Sequence, residues 1–240
     1  MTTGRTLADA LRWLTAGTTL FSNAIEDLDE AALREPSQLA GWSRAHVLAH
    51  VGFNAVALMN LVMWAHTGVA NPMYSSAMQR DSDIERGATW SVPELRTFVV
   101  TTAADLSEGL ASLDERTWGA DVVTALGRTV TAKDLPWLRV REVTVHAIDL
   151  GRGVTFRDVP ADLTSALLTD AADRRTSLAR DAPMTLVAEE GGRWQIGVNG
   201  DRTPRTVGPQ AELAAWITGR SDGEGLRSGR RPLPQLSPWL

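Results

Sequence analysis

Residues 141–151 read REVTVHAIDLG, a largely apolar segment that places a glutamate and a histidine four positions apart and ends at a glycine. Positions i and i+4 lie on one face of an α-helix, so Glu142 and His146 can direct an oxygen and a nitrogen at the same point. A second segment of this character, residues 43–68, reads SRAHVLAHVGFNAVALMNLVMWAHTG and contains His50. Two such helices, facing each other, would form a bundle around a polar cluster.

The composition is typical of a soluble globular protein, with 43% hydrophobic and 22% charged residues in a chain of 240. A net charge of −5 gives no sign of nucleic acid or of a membrane surface as a partner. The most apolar stretch, residues 47–65, is interrupted by two asparagines and a histidine, and no signal-peptide pattern begins the sequence. We therefore expect a cytoplasmic protein, a monomer with no transmembrane segment.

The absence of cysteine restricts the chemistry that the chain can perform. It excludes a disulfide, a thiolate ligand to a metal and a cysteine nucleophile. Gly-rich phosphate loops, dinucleotide fingerprints and a Ser–His–Asp order are missing from the sequence as well. A soft nucleophile, if the reaction needs one, has to come from another molecule.

Hydrophobic spacing predicts an α+β, mainly α chain with two domains, a four-helix bundle at residues 1–153 and a small α+β domain at residues 154–240. The four helices of the bundle are predicted at residues 6–27, 43–66, 91–113 and 132–150. Residues 69–90 form a long connection with one short helix, and two short strands fall between residues 118 and 131. The second domain is predicted to have helices at 161–179 and after Pro209, with strands at 184–189, 193–198 and 205–207.

Two histidines and one carboxylate are typical of a catalytic metal site, because they leave a coordination position open. Zinc fits this nitrogen-rich set best, although the ExxxH spacing is also common in surface salt bridges. His46 lies on the same helical stripe as His50, so the spacing leaves His46 open as an alternative ligand. Asn54, one turn beyond His50, either hydrogen-bonds within the site or satisfies a polar group in the core. His66 lies near a helix end and is not expected to bind the metal.

Three runs in the sequence resemble the mycothiol-dependent maleylpyruvate isomerases: residues 41–68, NPMYSSAMQR at 71–80 and LRVREVTVHAIDLG at 138–151. The first domain is also similar to the DinB-like metal-binding four-helix bundles. The resemblance implies that His50, Glu142 and His146 are the metal ligands and that His46 is only their neighbour. It also implies a role in activity for Arg80 and, on a weaker match, for Arg220.

The function implied by the resemblance is a cis–trans isomerase that converts maleylpyruvate to fumarylpyruvate in the gentisate pathway of aromatic degradation. A divalent metal, most consistent with Zn²⁺, would lower the pKa of the thiol of mycothiol, and the thiolate would add reversibly to the double bond. Arg80 is the candidate for binding the substrate carboxylates. Tyr74, Asn54 and Arg220 are weaker candidates for contacts to substrate or thiol.

Three alternatives stay open at this point. A mycothiol S-transferase would use the same metal and thiol and would differ only in the electrophile. Metal-dependent hydrolysis would need a general base beside the metal, for which Asp149 is the nearest candidate, but Asp149 is better placed to orient a ligand. A binding module without catalysis is the third alternative.

Overall fold

The computed structural model describes residues 5–198, 200, 203–229 and 232–239. Two compact units are separated after Arg152: one comprises Thr6–Arg152, and the other is built mainly on Gly153–Leu240. The first contains four long helices, and the second contains helices and a three-stranded sheet. The prediction of a mainly helical α+β chain is confirmed.

The first unit is a bundle of four long helices, α1 (Leu7–Ile25), α3 (Arg44–Thr67), α5 (Val92–Ala111) and α7 (Leu135–Asp149). Shorter elements connect them: α2 (Glu30–Arg34), α4 (Ala77–Gly87), α6 (Glu115–Trp118), the antiparallel strands β1 (Asp121–Val123) and β2 (Thr129–Thr131), and a 3₁₀ turn (Ala132–Asp134). The helix α3 packs against α5 and α7, and α1 packs against α7. The two helices predicted to carry the polar cluster are therefore neighbours.

Helix α3 is the core helix of this bundle. It is apolar on nearly all sides, and its side chains from Val47 to Val51 are almost entirely buried. By length and composition α3 could cross a membrane, but 67% of its most apolar window is buried within the protein. That burial is what the core helix of a soluble protein shows. His50 and Asn54, the buried polar side chains of α3, therefore need partners in the protein interior.

A glycine in α1 allows α7 to approach closely. A Cβ atom at Gly17 would lie 2.6 Å from Oγ1 of Thr144 and 2.9 Å from Cγ2 of Val143, closer than packed atoms normally come. One turn earlier, the rings of Trp13 and Trp137 meet edge to face at 5.9 Å. These contacts fix α7, and with it the two polar side chains that α7 directs toward α3.

The end of α7 is tied to the connection before α3. The backbone oxygen of Asp149 accepts a hydrogen bond from the backbone nitrogen of Gln38 at 2.8 Å. The Arg44 side chain donates to the oxygen of Leu150 at 2.7 Å, and Gly151 then adopts a positive φ of 65° that ends the helix. The last turn of α7 is thus held against the first turn of α3.

The second unit combines a three-stranded sheet with two helices. Its elements are a 3₁₀ turn (Phe156–Asp158), α8 (Ala161–Leu178), β3 (Met184–Ala188), β4 (Arg193–Ile196), β5 (Arg205–Gly208) and α9 (Gln210–Ile217). The strand order is β4-β3-β5, with β3 antiparallel to β4 and parallel to β5. In register, Thr185 pairs with Gln195 on one side and with Arg205 on the other.

The helices that sequence spacing did not predict are α2 and α6, of five and four residues. Segments this short contain too few apolar positions to show a helical period. Their start signals are present, because Asp29 and Asp114 each accept a hydrogen bond from the backbone of the first turn. These N-cap residues mark where the two helices begin, but without an apolar period they do not predict a helix.

Candidate metal centre

Three side chains from α3 and α7 converge in the bundle. Nε2 of His50 lies 2.9 Å from Oε2 of Glu142, and Nε2 of His146 lies 3.4 Å from the same oxygen. The two imidazole rings are perpendicular, with centroids 4.8 Å apart. Both histidines are buried, and Glu142 is partly buried. The structure thus brings together the three residues that the sequence predicted as a ligand set.

The spacing of these atoms fits a divalent cation. One nitrogen or oxygen from each residue lies within 4.8 Å of the others. Four ligands at zinc distances of about 2.0–2.1 Å form a tetrahedron whose edge is about 3.3 Å. The separations of 2.9 and 3.4 Å from Glu142 to His50 and His146 lie on either side of that value. Two imidazoles and one carboxylate could hold such an ion and leave a position open.

A buried aspartate orients one of the histidines. Oδ2 of Asp149 lies 2.9 Å from Nδ1 of His146, and the Asp149 side chain is fully buried. With its proton held on Nδ1, His146 presents the lone pair of Nε2 toward Glu142. Metal-binding histidines are commonly oriented by a carboxylate in this way. Asp149 therefore has the position of an orienting residue, and not that of a free base.

The pKa values of all three residues in the cluster are shifted from their usual values. Burial lowers the pKa of His50, and the hydrogen bond with Glu142 only partly offsets this. Burial alone would raise the pKa of Glu142, but hydrogen bonds from His146 and His50 hold it well below its usual range. For His146 burial opposes protonation, yet the hydrogen bonds to Asp149 and Glu142 outweigh it and raise the pKa to about 9. A metal at this site would therefore displace a proton from His146.

His46 lies outside the cluster, although it shares a helical stripe with His50. Its Nδ1 lies 2.7 Å from Oγ of Ser43 and 3.2 Å from the Ser43 backbone nitrogen, so His46 takes part in capping α3. Its Nε2 lies 3.4 Å from Glu85. Periodicity alone could not separate His46 from His50, because it does not show which histidine meets α7. His66, on the same helix, is exposed.

Arg80 and Tyr74 lie beside the cluster. Nη2 of Arg80 is 3.5 Å from Nδ1 of His50, and its Nη1 donates to Asp81 at 2.8 Å. Burial raises the pKa of Tyr74, an effect that the neighbouring Arg80 guanidinium partly opposes. The long connection between α3 and α5, through α4, therefore brings a cation and a phenol to the edge of the site.

Arg139 is a buried cation near the site that the sequence analysis missed. Its Nη1 donates to the backbone oxygen of Val51 at 2.6 Å and to Oδ1 of Asn54 at 2.9 Å. Nη2 is buried without a hydrogen-bond partner among the described residues. Burial lowers the pKa of Arg139 to about 10, against the attraction of Glu142 one turn away. The available signal was a charged residue within the apolar run LPWLRV at the start of α7.

The remaining candidates have different surroundings. Asn54 is buried, and its carbonyl oxygen accepts a hydrogen bond from Arg139. Arg220 belongs to the second unit, where Nη1 donates to the oxygen of Thr218 at 2.5 Å and the guanidinium lies 5.4 Å from the centre of the Trp239 ring. A role for Arg220 in binding the substrate stays a prediction.

Comparisons with known proteins show the family and the fold of the chain. Residues 14–151 match the family model described as the mycothiol maleylpyruvate isomerase N-terminal domain. A crystal structure of the mycothiol-dependent maleylpyruvate isomerase is similar at a TM-score of 0.88 and 33% identity, covering 98% of this chain and 99% of that chain. The crystal structure of a histidine-to-alanine mutant of that enzyme is similar at a TM-score of 0.87 and 32% identity, with the same coverage of both chains. No curated protein sequence matches the chain.

Proposed function

The chain belongs to the mycothiol maleylpyruvate isomerase family, and we propose that it catalyses the cis–trans isomerisation of maleylpyruvate to fumarylpyruvate with mycothiol as its thiol cofactor. The observation that carries the proposal is the convergence of His50, Glu142 and His146 in a chain without cysteine. Such a chain can hold a metal but must take its sulfur nucleophile from another molecule.

We propose that a divalent cation, most consistent with Zn²⁺, is held by the two Nε2 atoms and the Glu142 carboxylate. When bound, it lowers the pKa of an external thiol, so that the thiolate can add reversibly to the double bond and leave after rotation. Asp149 keeps the His146 ring in the orientation that presents Nε2. The low exposure of His50 and His146 would limit the access of competing water to a bound metal.

Arg80 is the candidate for binding the substrate. Its side chain is part-buried at the edge of the cluster, 3.5 Å from His50, and a guanidinium fits a carboxylate with two parallel hydrogen bonds. The same charge would stabilise the enolate that forms when sulfur adds to the double bond. Tyr74 lies beside Arg80 and could donate a hydrogen bond to the same anion. Arg220 stays a further candidate for binding substrate or thiol, on the family resemblance alone.

The test is isomerisation of maleylpyruvate by the purified protein with and without mycothiol. We expect turnover only with the thiol and with bound metal, and we expect His50→Ala to abolish both metal binding and turnover. His66→Ala is the matched control, because His66 is an exposed histidine on the same helix. Turnover that does not depend on the thiol would overturn the proposal. Thioether formation with electrophiles but no isomerisation would favour the S-transferase, to which no observation in the structure points.

We further propose that the protein is a cytoplasmic monomer. The low exposure of the apolar α3 supports a soluble state, since the segment that could cross a membrane is used as core. The net negative charge disfavours binding to nucleic acid or to anionic lipid. Sedimentation of the metal-loaded protein would test the oligomeric state, and a mass near twice 26.0 kDa would contradict it.

A further inference from the structure

A groove lies between α3 and the segment that leads into α4. Its volume is about 340 Å³, near the lower end of the range of about 300–1,000 Å³ for small-molecule sites. The floor is apolar and includes Phe53, Val56 and Ala57 from α3, with Pro72 opposite. The polar lining is formed by the side chains of Asn60, Asn71, Ser75, Gln79 and Asp83. We call this the α3–α4 groove.

Tyr74 connects the α3–α4 groove with the candidate metal centre. It belongs to the groove lining, and the Arg80 guanidinium and the Glu142 carboxylate beside the metal centre act on its pKa in opposite directions. Phe53 follows His50 by one helical turn, and Asn60 follows it by about 15 Å along the helix axis. A ligand with one end at the metal centre could therefore extend along α3 into the groove.

The polar groups of the groove suit hydroxyl groups better than anions. The Asn60 amide nitrogen donates to the backbone oxygens of Pro72 and Met73 at 3.3 and 3.4 Å, and this leaves Oδ1 to accept. Among the described residues, no partner hydrogen-bonds the side chain of Asn71. Asp83 is the charged residue of the lining, and its Oδ1 accepts from Gln79 and Arg86 at 3.0 and 2.6 Å.

The two adjoining sites thus differ in charge. The metal centre has the cations that a dicarboxylate substrate requires, whereas the α3–α4 groove has amides, two hydroxyls and one carboxylate paired with Arg86, over an apolar floor. Amides donate and accept hydrogen bonds, and a carboxylate accepts them, so these groups can bind the hydroxyls of a neutral polyol. The apolar floor can pack against the faces of its rings. Asp83 is paired with Arg86 at 2.6 Å, so among the described residues of its lining the groove has no unpaired charge to attract an anionic ligand.

We propose that the α3–α4 groove binds the polyhydroxylated portion of mycothiol, its sugar and inositol rings, while the sulfur reaches the metal centre. This inference rests on the proposed function, and it adds a binding site for the cofactor apart from that for the substrate. In this arrangement the groove determines which thiol is used, and the metal centre determines what the thiol does.

The test compares thiols with and without the rings. Asn71→Ala removes a polar group from a loop, and Val56→Trp fills the groove from an exposed position on α3. We expect each variant to raise the KM for mycothiol by about tenfold, the loss of roughly 1.4 kcal/mol, with kcat unchanged. Binding of N-acetylcysteine, which lacks the rings, should be the same in the variants and in the wild type. Asn23→Ala, in α1, is the matched control.

The outcomes separate the groove from the function. If the wild type turns over with mycothiol but both variants keep its KM, or if they lose kcat instead, the groove proposal is overturned and the function stands. If the wild type shows no thiol-dependent turnover, the proposed function fails. Calorimetry with N-acetylglucosaminyl-inositol, the neutral ring portion without the cysteine, then still tests the groove: binding that Val56→Trp abolishes supports it, and no binding overturns it.

Discussion

The two units of this protein each bury an arginine, and they do so in different ways. In the second unit Arg175 is 1% exposed and paired with Asp181 at 2.5 Å, with further hydrogen bonds to the backbone oxygens of Ile217 and Ser237. In the bundle Arg139 is equally buried, but its partners are a backbone oxygen and the amide of Asn54. Among the described residues, no carboxylate oxygen lies within 4.0 Å of Arg139.

The difference indicates what each buried charge is for. Arg175 connects α8 to the segments around Asp181 and Ser237, so its charge is neutralised locally and its role is structural. Arg139 leaves its charge available to its surroundings, one turn from Glu142 in the metal centre. We therefore expect changes in the bundle cluster to alter metal binding, and changes at the Arg175–Asp181 pair to alter stability.

The largest expected effect is that of Glu142→Ala on the metal. Loss of an orienting partner alone lowers metal affinity by about 10–100-fold, and loss of a direct ligand should exceed that. We expect metal binding and isomerisation to be lost together, measured by metal analysis and by the thiol-dependent assay. Glu108→Ala, an exposed glutamate on α5, is the control. A Glu142→Ala protein that retains its metal would contradict the assignment.

Asp181→Ala should act on stability alone. It leaves Arg175 as a buried charge without its carboxylate, which costs about 3–5 kcal/mol of unfolding free energy. Denaturant titration followed by tryptophan fluorescence would measure the loss, with the exposed Asp173→Ala as control. The metal affinity of the folded protein should not change. If Asp181→Ala lowers metal affinity and leaves stability unchanged, the structural role assigned to the Arg175–Asp181 pair is wrong.

Metal affinity should rise with pH. The pKa of His146 is raised to about 9 when no metal is bound, so a proton occupies the site at neutral pH and must leave before Nε2 can bind. The apparent affinity should therefore increase by about tenfold per pH unit from pH 6 and level off near pH 9. Asp149→Asn removes a charge that holds this proton, so the plateau should begin at lower pH. A metal affinity that does not change with pH would contradict the protonation of His146 in the metal-free protein.

The smallest expected effect is that of Arg139→Met. Removing a buried cation near a cation site relieves repulsion, so metal affinity should increase, by no more than about tenfold. A purely structural role for Arg139 predicts the opposite, because a disturbed site binds metal less well. Metal competition with a chromophoric chelator would measure the change, and Arg139→Lys should restore wild-type affinity. Weaker metal binding in Arg139→Met would mean that Arg139, like Arg175, has a structural role.

Sequence spacing predicted the elements of the bundle and its polar cluster because both depend on short-range regularities. Glu142 and His146 share a helix face, and the apolar character of α3 identifies it as the core helix that brings His50 to them. The family resemblance, and not the spacing, separated His50 from His46. In the structure that separation has a local cause, since His46 is held by Ser43 at the helix start.

Other features depend on contacts that no spacing encodes. Arg139 meets Val51 and Asn54 across more than 80 positions of sequence, and its neighbours are set by how α7 crosses α3. The α3–α4 groove likewise forms where a long connection folds back over a helix. Residues 69–90 were predicted as a connection, but the composition of a connection does not show which side chains line the space beneath it.

The central claim is that the bundle holds a metal whose open position receives an external thiol. Because the chain has no cysteine, any sulfur bound to the metal must come from the added thiol. The absorption spectrum of the cobalt-substituted protein therefore tests the claim directly. Adding mycothiol to wild-type protein loaded with Co²⁺ should produce a near-ultraviolet sulfur-to-cobalt charge-transfer band, which Glu142→Ala should lack. If Co²⁺ binds the wild-type protein and the spectrum does not change when mycothiol is added, the sulfur does not reach the metal and the claim is wrong.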